Sequence, residues 1–163
     1  GALEGYGDYG DYVLHDVLTA SERTYRVRAD RAGRVIAGIG MGATGSAALA
    51  FAHPDVFGAV GIHSPSLEIR RSGPPWIFGL GDPDALAERH PASLAERLPR
   101  RSGLRIYIDG GYDDEDAEGV VELHHTLLER GVQHNYAASP GESCIDYWMA
   151  HLPEYIGFYA AGW

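Results

Sequence analysis

The chain has no lysine: all 13 of its basic residues are arginine. That excludes a Schiff-base lysine, a pyridoxal-phosphate anchor and a Walker lysine. Its single cysteine, Cys144, leaves no internal disulfide and no paired-cysteine metal or redox site, and does not fix a compartment. Excess positive charge is lacking too. The formal net charge of −10 and the pI of about 5.1 argue against nucleic acid or an anionic membrane as partner. No apolar stretch approaches the ~20 residues needed to span a bilayer, and the opening residues lack the form of a signal peptide. The expectation is a soluble chain with the cytoplasm favoured. It begins Gly1-Ala2-Leu3 without methionine, as a processed, trimmed or expressed fragment would.

With 163 residues there is enough chain for one domain with a real core. Residues 1–12 are rich in Gly, Tyr and Asp, with an echo at Tyr6-Gly7-Asp8 and Tyr9-Gly10-Asp11, and read as a loop. From Tyr12, helical spacing runs to about Arg23. Val35–Ile39 is a short apolar run that suits a buried strand. Gly42–Ala52 suits a tightly packed helix that stops at His53-Pro54, because the residue before proline disfavours helix. Ala59–Ile62, Leu104–Ile108 and His134–Ala138 read as further strands. Residues 64–103 are irregular, with a breaker at Gly73-Pro74-Pro75 and a short helix over Ala85–Leu98 interrupted at Pro91. Asp116–Arg130 predicts an amphipathic helix with Ala117, Val120, Val121, His124, Leu127 and Leu128 on one face, ended by Gly131. Ile145, Trp148, Met149, Leu152, Ile156 and Tyr159 form a last amphipathic face. Strands alternate with helices, which predicts an α/β fold: a parallel sheet flanked by helices, in one domain over 1–163.

Four motifs in order resemble the Putative esterase family of α/β-hydrolases, which includes esterase D (S-formylglutathione hydrolase), the antigen 85 mycolyltransferases and the feruloyl and enterochelin esterases. The segment from Asp30 to Gly42 (DRAGRVIAGIGMG) resembles the family's strand and nucleophile elbow, whose pattern is G-x-S-x-G. Ala50–Val60 (AFAHPDVFGAV) and His63-Ser64-Pro65-Ser66 resemble the family's segments downstream of the elbow. Tyr107–Glu115 resembles the acid loop, and Pro140–Pro153 resembles the segment that bears the histidine. The resemblance covers nearly the whole chain. It implies the C-terminal half of an α/β-hydrolase sheet, strand order 5-6-7-8, without the N-terminal strands.

The family's chemistry is acyl transfer by serine, histidine and aspartate. The resemblance puts the nucleophile at Gly40, the acid at Asp114 and the histidine at Ser143, with Met41 and Gly42 at the binding site. Nucleophile and base are therefore both absent, while the acid is retained. The loop that supplies half of the oxyanion hole lies among the strands this chain lacks. The expectation is a homologue without hydrolytic chemistry, a binding or partner-regulating protein that still holds a small acyl or ester ligand. The alternative is an esterase or acyltransferase on esters or thioesters, using relocated residues (Ser64 or Cys144 as nucleophile, with Asp114) or groups from a partner chain.

The exposed elbow strand predicts a partner, either a second copy or a separate N-terminal half. No cofactor is implied. The histidines, including His124-His125, show no His-x-His or His-Glu-x-x-His spacing, so no metal site is expected. The acidic run Asp113–Asp116 reads as a helix start that favours the dipole. Gly40-x-Gly42-x-x-Gly45 is a weak nucleotide-loop match that fits an elbow better.

Overall fold

The structure is a computed structural model that describes residues 9–67 and 89–162. Residues 1–8, the breaker at Gly73-Pro74-Pro75 and the start of the helix expected from Ala85 lie outside these residues. Helical structure begins earlier than expected, at Tyr9–Asp11, passes through a π-helical stretch at Tyr12–Val17 and continues as α1 (Leu18–Thr24). Then come β1 (Val35–Gly40), α2 (Met41–Ala52), β2 (Ala59–Pro65), α3 (Pro91–Arg97), β3 (Arg105–Gly111), α4 (Ala117–Glu129), β4 (Asn135–Ser139) and α5 (Ile145–Ala160). The four strands are all parallel, in the order β1-β2-β3-β4. This is the expected α/β fold.

Period-2 alternation divides β2 and β3 between two layers. Val60, Ile62, Ile106 and Ile108 point into one core, with Ala43, Ala47, Ala50 and Phe51 of α2, Leu94 and Ala95 of α3, and Val120, Leu123 and Leu127 of α4. The small residues of α2 let its backbone come close to the sheet. His63, Tyr107 and Asp109 point the other way, toward α5. Below the strands, Arg31 ties two loops together: its Nε donates to the Pro54 carbonyl at 2.7 Å and its guanidinium to the Ser102 carbonyl at 3.0 Å.

The interruption expected at Pro91 is present: Arg89 is helical, His90 is not, and Pro91 opens the next helix, where its missing N–H costs nothing. Other sequence expectations need correction. On α4, Leu123 is buried while Val121 and Leu128 are exposed, so the inward face is rotated from the expected one. On α5 the buried residues are Tyr147 and Tyr155, whereas Ile145, Met149, Leu152 and Ile156 are exposed. Gly131 does end α4. With φ +65° it takes the left-handed cap position, and Val132 N–H reaches back to the Leu127 carbonyl at 2.9 Å.

The tightest point of the fold is the passage from β1 to α2. A Cβ at Gly38 would fall on the Gly42 carbonyl group, which is backbone and cannot swing aside. Gly38→Ala is therefore expected to lower stability by about 1–3 kcal/mol. Urea denaturation compared with the unsubstituted chain checks this.

Candidate functional site

The C-terminal ends of β1, β2, β3 and β4 gather the segments singled out in the sequence. At the end of β1 the chain turns into α2 through Gly40, with φ +59° and ψ −125°. A side chain there would be strained whatever the space around it. The space itself is open: a Cβ at Gly40 would meet only Ser66 Oγ, at 3.9 Å. The turn is held from both sides. Thr44 Oγ1 donates to the Ser66 carbonyl at 2.8 Å, and Ser66 N–H to the Gly40 carbonyl at 3.3 Å. Met41 and Gly42 open α2 and are both exposed.

Beside this turn, β2 carries a bulge. Ile39 pairs with His63, but Gly40 pairs with Pro65, so Ser64 is the extra residue. Among the described residues it is the non-glycine with positive φ, at +43°. Its hydroxyl is buried and accepts the indole N–H of Trp148 at 3.3 Å. Both ring nitrogens of the adjacent His63 are already bonded elsewhere, so neither serves Ser64 as a base.

The acid loop and the loop after β4 remain joined. Asp113 N–H donates to the Gly141 carbonyl and Gly141 N–H to Asp113 Oδ2, both at 3.1 Å. A Cβ on Gly111 would strike the Gly141 carbonyl, so the two backbones touch. Asp114 sits at this junction. Its Oδ2 accepts Gly111 N–H at 3.0 Å, while its Oδ1 is buried without a hydrogen-bond partner. A buried acceptor without a donor calls for a reason. Ser143 and Cys144 come shortly after Gly141 and are exposed, with Cys144 at the N-cap of α5 and making no side-chain cap bond.

A second constellation lies outside the motif correspondences. Asp109 is buried, and both its oxygens are taken: Oδ1 by His63 Nδ1 at 2.5 Å and Oδ2 by the Tyr155 hydroxyl at 2.5 Å. His63 Nε2 bonds to the Tyr159 hydroxyl. Gly61 makes room for this pair, since a Cβ there would fall on the Tyr159 hydroxyl and His63 Nε2. The arrangement has the connectivity of an acid–histidine–hydroxyl triad, but its hydroxyl is not activated. Burial, then the Asp109 charge, pushes the Tyr159 hydroxyl up to about 12. Burial and the hydrogen bond to Asp109 raise Tyr155 further still. Tyr147 is likewise pushed up to about 12, mainly by burial. The signal that could have revealed this cluster is alternation along β2 and β3, which puts His63 and Asp109 on one face, with tyrosines one turn apart on α5.

Elsewhere, His124 Nδ1 and His134 Nε2 are 2.7 Å apart, and His124 stacks on Tyr136. Burial, then His134 and His125, lowers the His124 pKa. Among the described residues no three His, Cys, Asp or Glu side chains converge as metal ligands, and no helix is long and apolar enough to cross a membrane.

A parallel sheet with a glycine-crossed strand–turn–helix and an acid loop at its C-terminal edge has the form of an α/β-hydrolase. The family model described as Putative esterase matches residues 3–159, and the chain belongs to that family. It is 29% identical over 143 residues to the iron(III) salmochelin esterase of Escherichia coli O6:H1, covering 86% of this chain and 34% of that enzyme. Among solved structures it is similar to a ferulic acid esterase (TM-score 0.81, 23% identity, 95% of this chain and 62% of that one). It is also similar to FphF, a fluorophosphonate-binding serine hydrolase of Staphylococcus aureus (TM-score 0.82, 19% identity, 95% and 64%). The structural likenesses establish the fold. The chain spans about a third of the length of the E. coli enzyme and under two thirds of these two structures.

The geometry leads to two expected outcomes. Gly40→Ser is expected to fold, since the space is open, yet to lose about 1–3 kcal/mol to backbone strain; denaturant midpoints measure the loss. The raised tyrosines give the second. A folded-state pKa above the ordinary 10 makes stability full below pH 10 and falling as pH rises through about 12. Phenolate absorbance is expected to show Tyr147, Tyr155 and Tyr159 ionising only together with alkaline unfolding. Their titration in a still-folded chain would contradict the buried network.

Proposed function

We propose that this chain is a non-hydrolytic member of its family, a binding or partner-regulating protein built on the esterase frame. The observation that carries this reading is Gly40. The position that the resemblance assigns to the nucleophile has the backbone turn and no side chain to acylate. Loss of a triad serine leaves only ~10³–10⁴-fold catalysis over water, from binding and the oxyanion hole. The unpartnered Asp114 Oδ1 supports the same reading. It lies at the junction where a triad histidine would donate an N–H, and the corresponding residue is Ser143. A ligand has somewhere to sit: an open, mostly apolar depression of about 320 Å³ beside the acid loop, lined by Gly111, Tyr112, Val120, Tyr136 and Ala138 among others. Its character suits the acyl portion of an ester.

The alternative is an esterase or acyltransferase with relocated residues or groups lent by a partner. Strain at Ser64 favours it, because strained backbone gathers at functional sites. The burial of Ser64, its bond from Trp148 and the occupied nitrogens of His63 oppose it. Cys144 is exposed but stands between Glu142 and Asp146, without the positive surroundings that activate a thiol.

Incubation with p-nitrophenyl acetate and with a fluorophosphonate probe separates the two. Turnover and labelling no greater than those of the denatured chain are expected. Stoichiometric labelling would overturn the non-hydrolytic reading, and mapping the modified residue would name the nucleophile in use.

A further inference from the structure

Tyr136 belongs both to the depression beside the acid loop and to a histidine pair that joins α4 to β4. It lines the depression with Tyr112, Val120, Val121 and Ala138, and its ring stacks on His124 with centroids 4.0 Å apart and planes at 14°. Val120 and Val121 lie one turn before His124 on α4, so one stretch of helix serves the depression and the pair. Alternation puts His134, just before β4, on the same face as Tyr136 and Ala138. That face meets α4, where His134 Nε2 lies 2.7 Å from His124 Nδ1.

The bonds of the pair fix where its protons are. His134 Nδ1 lies 2.8 Å from the Val132 carbonyl, which only accepts, so that nitrogen carries a hydrogen. In the neutral ring His134 Nε2 is then a bare acceptor, and His124 Nδ1 is its donor. A first added proton goes to His124 Nε2. It keeps the pair and leaves a cation stacked on Tyr136, a favourable contact. A second proton has only His134 Nε2 to go to, where the His124 N–H already points. Two N–H groups cannot face each other at 2.7 Å, so the second proton parts the rings. The two nitrogens point at each other rather than at a common third point, and among the described residues no third ligand joins them. The pair therefore suits a proton and not a metal ion.

No carboxylate of the described residues comes within ion-pair distance of either ring to offset a second charge. Burial, then the charges of His134 and His125, holds His124 below the ordinary histidine value of 6.5. The neutral form is thus the one the fold favours. Its stabilisation is full above that value and is lost as pH falls through it.

We propose that the histidine pair gates the depression: in neutral solution it holds Tyr136 as one wall of an apolar ligand site, and in acid it parts and the ligand is released. The gate rests on the reading of this depression as a ligand site. Apart from Glu118, the lining is glycine, alanine, valine and tyrosine, so the ligand class is an uncharged acyl or aromatic group.

The test titrates N-phenylnaphthylamine, an uncharged apolar fluorophore, into the full chain at about pH 7.5 and about pH 5, on either side of the histidine range. If acid leaves about a tenth of the chain closed, the apparent affinity falls about tenfold. That loss is expected, with circular dichroism unchanged. His134→Gln keeps an acceptor for the His124 N–H but takes no proton, and is expected to bind equally well at both pH values. Val121→Trp, which fills the depression from an exposed position, is expected to abolish binding in neutral solution. The contact between the His124 and Tyr136 rings, followed by proton NMR of the unsubstituted chain, is expected to disappear over the same range, whether or not either variant folds. Equal affinity of the unsubstituted chain at the two pH values would overturn the gate and leave the ligand site standing. Absence of binding in neutral solution, or binding that survives Val121→Trp, would remove the ligand site and the gate with it. An acid loss that persists in His134→Gln, a ring contact that survives in acid, or general unfolding there would each overturn the gate. Hydrolysis is decided separately, by the fluorophosphonate labelling.

Discussion

The hydrogen bonds that join His63, Asp109, Tyr155 and Tyr159 determine how α5 lies on the sheet. A buried carboxylate, imidazole and two phenols are costly to desolvate unless every polar atom finds a partner. Here both oxygens of Asp109 and both nitrogens of His63 are engaged. Satisfying them fixes the rotation of α5 about its own axis, and with it everything that helix carries. Its tyrosines go in, so its aliphatic stripe goes out. Its N-terminal end stays near the acid loop, which brings Gly141 against Gly111. Gly61 answers the same requirement, because a side chain there would occupy the site of the Tyr159 hydroxyl.

Two aspartates five residues apart make the contrast plain. Asp109, inside the sheet, is fully bonded and structural. Asp114, on the loop above it, spends one oxygen on Gly111 N–H and leaves the other buried without a donor. A complete polar cluster rigidifies the fold, whereas a buried acceptor without a donor is costly and calls for a reason. The strand therefore holds a satisfied structural acid, and the loop that follows it an unsatisfied one at the position the resemblance assigns to the family's acid.

The parallel sheet, the elbow and the end of α4 were legible in the sequence because each rests on local signals: short apolar runs, glycine at a turn, glycine at a helix end; the strand order came from the family resemblance alone. The orientation of α5 was not. Hydrophobic periodicity identifies an apolar face, but it assumes that this face meets the core. On α5 a polar network outweighs that assumption, through the bonds of Tyr155 to Asp109 and Tyr159 to His63, 46 and 96 residues apart in the chain. On α4 too the inward face differs from the expected one, with Leu123 rather than Val121 and Leu128 in the core. At the candidate site, motif matching finds Gly40, Asp114 and Ser143 but passes over His63 and Asp109. Both lie inside matching motifs, and only their shared sheet face joins them.

A physical division separates the positions that packing fixes from those it leaves free. Gly38 is fixed because the Gly42 backbone crosses it, and Gly111 because the Gly141 carbonyl touches it. These contacts are packing, so they hold whether or not any chemistry is done. Gly40 and Ser143 are under no such constraint: the first faces open space and the second is exposed. At Gly40 the unusual backbone conformation penalises any side chain, so a serine there lasts only while its hydroxyl is useful. Without that use, glycine relaxes the turn and leaves the rest of the elbow undisturbed. An intact elbow is thus evidence of how the sheet and helix pack, and the presence of catalysis has to be judged from the side chains the turn presents.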